Sequence, residues 1–180
     1  MKRFANVRPT VFIVFLALTA ALGAVPALAQ LEGDTINCAM GFPPGSLFFT
    51  PGTSAVVGAG VEFTLEQPTT PLFSFNFTGN SLTITSVYAS TNNISQASPI
   101  VFASIDWPAD PSAYIAGVYV SQSSGIIGAG NVTFTGHTLT VNLCCGQWHH
   151  GDSATIDLYP ESGLIPAETQ SWGAIKAHYR

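Results

Sequence analysis

Segment after segment of this chain alternates apolar with small polar residues at a period of two. Phe73, Phe75 and Phe77 alternate with Ser74 and Asn76, Leu82 and Ile84 with Thr83 and Thr85, and Leu139, Val141 and Leu143 with Thr140 and Asn142. On an extended chain successive side chains point to opposite faces, so each segment has one face to bury and one to hydrate. Further candidate strands are Ser46 to Thr50, Gly60 to Leu65, Ile100 to Ile105, Tyr114 to Val120, Asn131 to Thr135 and Ala154 to Tyr159. Nine or so short strands separated by Gly, Pro and Asn predict an all-β fold, a single antiparallel β-sandwich of jelly-roll-like or Greek-key type. The wetted faces are built from Ser, Thr and Asn, which lets a chain with only 8% charged residues stay hydrated.

The N-terminus has a different character. Lys2, Arg3 and Arg8 precede an apolar run from Val11 to Val25, followed by Pro26 and the small-residue pattern Ala27-Leu28-Ala29. This is the pattern of a secretory signal peptide, too short for the roughly 20 residues of a spanning helix. The expected division is therefore a signal peptide over 1–29, a sandwich domain over 30–160 and a C-terminal tail over 161–180, with a short helix near Thr169 to Ala177 as one reading of the tail. The expected location is outside the cytoplasm, extracellular or periplasmic, with no membrane span in the mature protein.

Charge narrows the function classes. No Lys or Arg occurs between Arg8 and Lys176, and the mature chain would carry two basic and ten acidic residues, a formal charge of −8. Phosphate backbones are held chiefly by Lys and Arg, so nucleic acid is excluded as a partner, and anionic lipid surfaces are disfavoured on the same ground.

An oxidising compartment makes a disulfide the expected state of Cys38, Cys144 and Cys145. Adjacent residues on a strand face opposite ways, so one of Cys144 and Cys145 is expected to bridge to Cys38, leaving one odd thiol. One internal echo accompanies this. Phe77-Thr78-Gly79-Asn80-Ser81-Leu82-Thr83-Ile84 recurs as Phe134-Thr135-Gly136-His137-Thr138-Leu139-Thr140-Val141, and both copies read as hairpins turning on a positive-φ glycine.

The landmarks Gly60-Val61-Glu62-Phe63, Phe75-Asn76-Phe77, Ile115-Ala116-Gly117-Val118, Val132-Thr133-Phe134 and Gly151-Asp152-Ser153-Ala154-Thr155-Ile156-Asp157-Leu158 together resemble small secreted bacterial β-sandwich proteins that often carry a C-terminal Pro-Glu-Pro sorting tag. The tag itself is absent, Pro160-Glu161-Ser162 standing in its place. The resemblance implies a sandwich fold and an envelope or extracellular-matrix setting, and no particular activity.

Two constellations carry candidate chemistry. Trp107 and Trp148, with Tyr88, Tyr114 or Tyr159 beside them and Asp106 and Asp110 as hydrogen-bonding groups, would form a platform on which sugar rings stack, unless the indoles are core anchors. The run Cys144-Cys145-Gly146-Gln147-Trp148-His149-His150-Gly151-Asp152 groups thiols, imidazoles and a carboxylate; His149, His150 and Asp152, completed by His137 or His178, would bind copper or zinc, unless the run is simply a tethered hairpin loop. There is no nucleophile elbow, no zinc-protease motif and no phosphate-cradling loop. Asp106 and Asp110, as paired glycosidase carboxylates, read more naturally as turn residues flanking two prolines. The sequence thus points to a non-catalytic binding or matrix-associated module with no resident cofactor, its expected ligand a polysaccharide, the alternatives being self-association into a surface structure and metal binding.

Overall fold

The computed structural model describes residues 30–40, 47–50, 52–124 and 127–163. The expected signal peptide, nearly all of the tail, its helix and His178 lie outside the described residues. Within them the chain is all-β, its thirteen strands accompanied by a single 3-10 turn at Ala129–Asn131. The strands are β1 (Thr35–Met40), β2 (Phe48–Thr50), β3 (Ser54–Val56), β4 (Phe63–Gln67), β5 (Thr70–Thr78), β6 (Ser81–Ser86), β7 (Asn92–Ile94), β8 (Pro99–Ala103), β9 (Ala113–Ser123), β10 (Val132–Thr135), β11 (Thr138–Asn142), β12 (Gly146–Trp148) and β13 (Ser153–Ser162). All nine expected strands are present. The four that the alternation did not single out are β1, β3, β7 and β12.

Two antiparallel sheets face each other. One has the order β10-β11-β8-β1-β3, the other β2-β4-β5-β6-β13-β9, and β7 and β12 form a small separate ribbon. The alternating apolar sets interdigitate between them. Phe102 of β8 lies with its ring centroid 6.2, 5.6 and 5.3 Å from those of Phe63, Phe75 and Phe77 on the opposite sheet. These tilted and edge-on contacts, each worth about 1 kcal/mol beyond the area buried, join the sheets at their centre. Two buried carboxylates bind the framework through backbone amides. Glu62 accepts from the amides of Gly58 and Phe77, and Asp34 from those of Thr35 and Asp106.

Each end of the sandwich is closed by a tryptophan. Trp107, after β8, donates its indole N–H to Asn80 Oδ1 in the β5–β6 turn at 2.9 Å. Trp148, on β12, packs edge-on against Phe73 with centroids 5.3 Å apart and directs its indole N–H to the Leu143 carbonyl at 3.4 Å. Both are completely buried.

The internal echo does mark two hairpins, β5–β6 in one sheet and β10–β11 in the other. Their turns differ from the expectation in one respect. Gly79 adopts φ +61°, whereas Gly136 is not among the glycines with positive φ. Gly136 serves otherwise: its carbonyl accepts the Ile115 amide, and a side chain there would meet the Tyr114 Cβ at 3.7 Å.

Candidate functional site: a tyrosine row on a neutral sheet face

The registers of the six-stranded sheet assemble its outer face rank by rank. Thr50, Thr64, Ser74, Thr85 and Ser153 lie opposite one another across five strands. The next rank is Asn76, Thr83, Thr155 and Gln122, and the one below it Thr78, Ser81, Asp157 and Tyr119. Residues opposite one another share a face, about 4.8 Å apart across strands and roughly 6.8 Å along them, so the result is a grid of hydroxyls and amides. Neighbours in the grid touch: Ser81 Oγ donates to Asp157 Oδ1 at 2.6 Å, and the Thr83 and Thr155 hydroxyls lie 3.4 Å apart.

At the β9–β13 border this face turns aromatic. Tyr114 lies opposite Glu161, Tyr159 opposite Gly117, and Tyr119 opposite Asp157. Three tyrosines therefore zigzag between two strands, from β9 to β13 and back, over about 14 Å of strand rise. Tyr119 and Tyr159 are 59% and 53% exposed, and they are the two large aromatics of the described residues that solvent reaches most. Tyr159 lies over Gly117, where a Cβ would stand 3.8 Å from Tyr159 Cδ2, in ordinary van der Waals contact. Carboxylates flank the row, and Glu161 hydrogen-bonds the Tyr114 hydroxyl and pushes its pKa up. No lysine or arginine occurs among the described residues.

The residues singled out from sequence are placed differently. Trp107 and Trp148 are each 0% exposed, so neither presents a ring face to a ligand, and a platform built on them does not exist. The physical reason is that each indole has an internal acceptor and plugs an end of the core. Asp110 is a turn residue: its Oδ1 accepts from the amide and hydroxyl of Ser112, and the Ser112 and Ser162 hydroxyls hold its pKa down. Asp106 is exposed, with Oδ1 2.9 Å from His137 Nδ1.

The proposed metal ligands are split between the two ends of the sandwich, with His149 Nδ1 3.4 Å from Asp152 Oδ2 and His137 remote from both. His137 sits in the β10–β11 turn beside Asp106, at the end of the sandwich closed by Trp107. His149, His150 and Asp152 lie at the other end, where the Gly151 amide bonds the Ser86 carbonyl. There His150 Nδ1 is 3.1 Å from the Tyr88 carbonyl, and Asp152 accepts the His149 amide at 2.7 Å, a bond that lowers the Asp152 pKa. Among the described residues no group of three or more His, Cys, Asp and Glu is placed to hold an ion.

The expected bridge to Cys38 is also replaced. Cys144 and Cys145 are bonded to each other, and Cys38 is free and buried, its thiol pKa pushed up by desolvation. The register explains why. Cys38 and Leu139 flank Phe102 on either side of β8, two strand spacings apart, and Cys144 lies five residues beyond Leu139. That places Cys144 well over 10 Å from Cys38, outside the Cα separation a disulfide spans.

No protein-family model, curated protein or solved structure matches this chain. Among the described residues no helix is long and apolar enough to cross a membrane.

Proposed function

We propose that this protein is a secreted, non-catalytic module that binds a neutral polysaccharide along the tyrosine row of its six-stranded sheet. The observation that carries the reading is the exposure of Tyr119 and Tyr159 on a face of hydroxyls and amides in which Asp157 and Glu161 are the charged members beside the row. Sugar rings present C–H faces that stack on aromatic rings and hydroxyls that need hydrogen-bond partners, and this face offers both. The row runs along the strands, which suits an extended polymer rather than a compact ligand. Asp157 and Glu161 accept hydroxyl donors at its margin, while the missing cations give an acidic polymer nothing to pair with. Secretion, and kinship with the small bacterial sandwich proteins named above, belong to the same proposal; the signal-like N-terminus and the hydroxylated surface support both.

Co-sedimentation with insoluble neutral glucans and N-acetylglucosamine polymers tests it. The expected result is pelleting that changes little between low and high salt and weakens at least tenfold, about 1.4 kcal/mol, in the Tyr119→Ala/Tyr159→Ala double variant. Failure to pellet on every polymer, or equal pelleting of the double variant, would overturn the reading.

A further inference from the structure

The two sheets end in four edge strands, and one of them differs from the rest. β2 and β3 have three residues each and β10 has four, whereas β9 has eleven. Short edges are a common protection against strand addition, as are prolines and inward or edge charges. β9, Ala113-Tyr-Ile-Ala-Gly-Val-Tyr-Val-Ser-Gln-Ser123, has no charge and no proline. Among the described residues its backbone is engaged off the β13 ladder near its start, where the Ala113 amide bonds the Asp110 carbonyl and the Ile115 amide the Gly136 carbonyl. Beside it a 360 Å³ hollow opens, lined chiefly by Val118, Val120, Ile127 and Val132.

We propose that the Gly117–Val120 stretch of the β9 edge pairs antiparallel with the same stretch of a second copy about a two-fold axis, joining two six-stranded sheets into one of twelve. Charge selects this partner. The chain is acidic overall, and an isologous contact sets each charged group near its own duplicate, so two copies approach with least repulsion where a strand carries none. Register follows from the faces. Directly opposed residues share a face, so a two-fold pairing sets Val118 against Val118 or Tyr119 against Tyr119; a one-residue slip would oppose core and solvent sides. Either arrangement carries the valine layer across the junction and merges the two tyrosine rows. The extent of pairing is also set. Register shifts against β13 leave Ala116 and Ser121 unpaired, bracketing a regular stretch Gly117–Val120. Pairing confined to about four residues a side, with the other edges short, closes at the dimer.

Sedimentation velocity on the purified, untagged protein, without any glycan, tests this independently of the polysaccharide reading. The expected result is a reversible monomer–dimer equilibrium, weakened at least tenfold by Tyr119→Lys, with the Gly117–Val120 amides slowing in hydrogen exchange as concentration rises. Ala116→Lys serves as a second edge variant should the first fail to fold. A monomer at every concentration would overturn the proposal, as would a dimer indifferent to both lysines, a dimer whose β9 amides do not slow, or growth into fibres.

Discussion

At the scale of single residues, a polar group inside the sandwich differs from its apolar neighbours in needing a hydrogen-bond partner. Ser86 is fully buried, and its hydroxyl is the buried side-chain polar group that has none among the described residues. Burying an unpartnered hydroxyl costs stability, so Ser86→Ala should raise the unfolding free energy by up to about 1 kcal/mol, read by urea denaturation at neutral pH. The same logic shows why sequence leaves the platform and core-anchor readings of the tryptophans both open. A large aromatic in a proline-stiffened loop looks the same in sequence whether it faces solvent or core. What turns Trp107 inward is the acceptor on Asn80, 27 positions away, and no local pattern announces that pairing. Tyr119 was hidden in the opposite way. Between Val118 and Val120 it reads as one more member of an apolar run, and the bulges that set its face are visible only once β13 is in place.

At the scale of elements, the legible strands were those whose residues are mostly aromatic or β-branched, which made even the short β2 and β10 readable. β3, β7 and β12 have three residues apiece and are built largely of Ser, Ala, Asn, Gly and Gln, too few and too weak as β-formers to show a period. β1 alternates Ile36, Cys38 and Met40 with Thr35, Asn37 and Ala39, but residues of weak β-propensity blur the signal, and its place between β8 and the edge strand β3 comes from pairing, not from its composition. What anchors the start of β1 is Asp34, whose carboxylate takes the amides of Thr35 at 2.7 Å and Asp106 at 2.8 Å and so ties the strand to the loop after β8. Burial is the largest influence on this carboxyl and raises its pKa above the ordinary 3.8. A raised carboxyl pKa means the folded state holds the proton more tightly than the unfolded one. The group's contribution is therefore fullest below pH 3.8 and declines as pH climbs through the folded-state pKa. Asp34→Asn should remove that acidic-range component from the stability profile. Asp34→Ala should cost about 2 kcal/mol at pH 7 by stranding two amides, both read from denaturant midpoints across pH.

At the scale of the whole molecule, the distribution of charge was fully legible and remains the most restrictive fact about the chain. With no Lys or Arg from position 9 to 175, a trypsin-like protease has no internal site in the domain. Prolonged trypsin treatment of the heat-unfolded protein should remove only terminal fragments, with mass spectrometry returning one large core peptide. The tryptophan plugs act at this same scale. With a buried indole seated at each end of the core, the sandwich is closed along the strand axis, whereas at the flank β9 and β10 lie side by side without a ladder between them. The phenylalanine core is thus bound at head and tail like a book and left unsewn along its fore-edge, and the amides of β10 on that edge should exchange with solvent faster than those of β5 within the sheet.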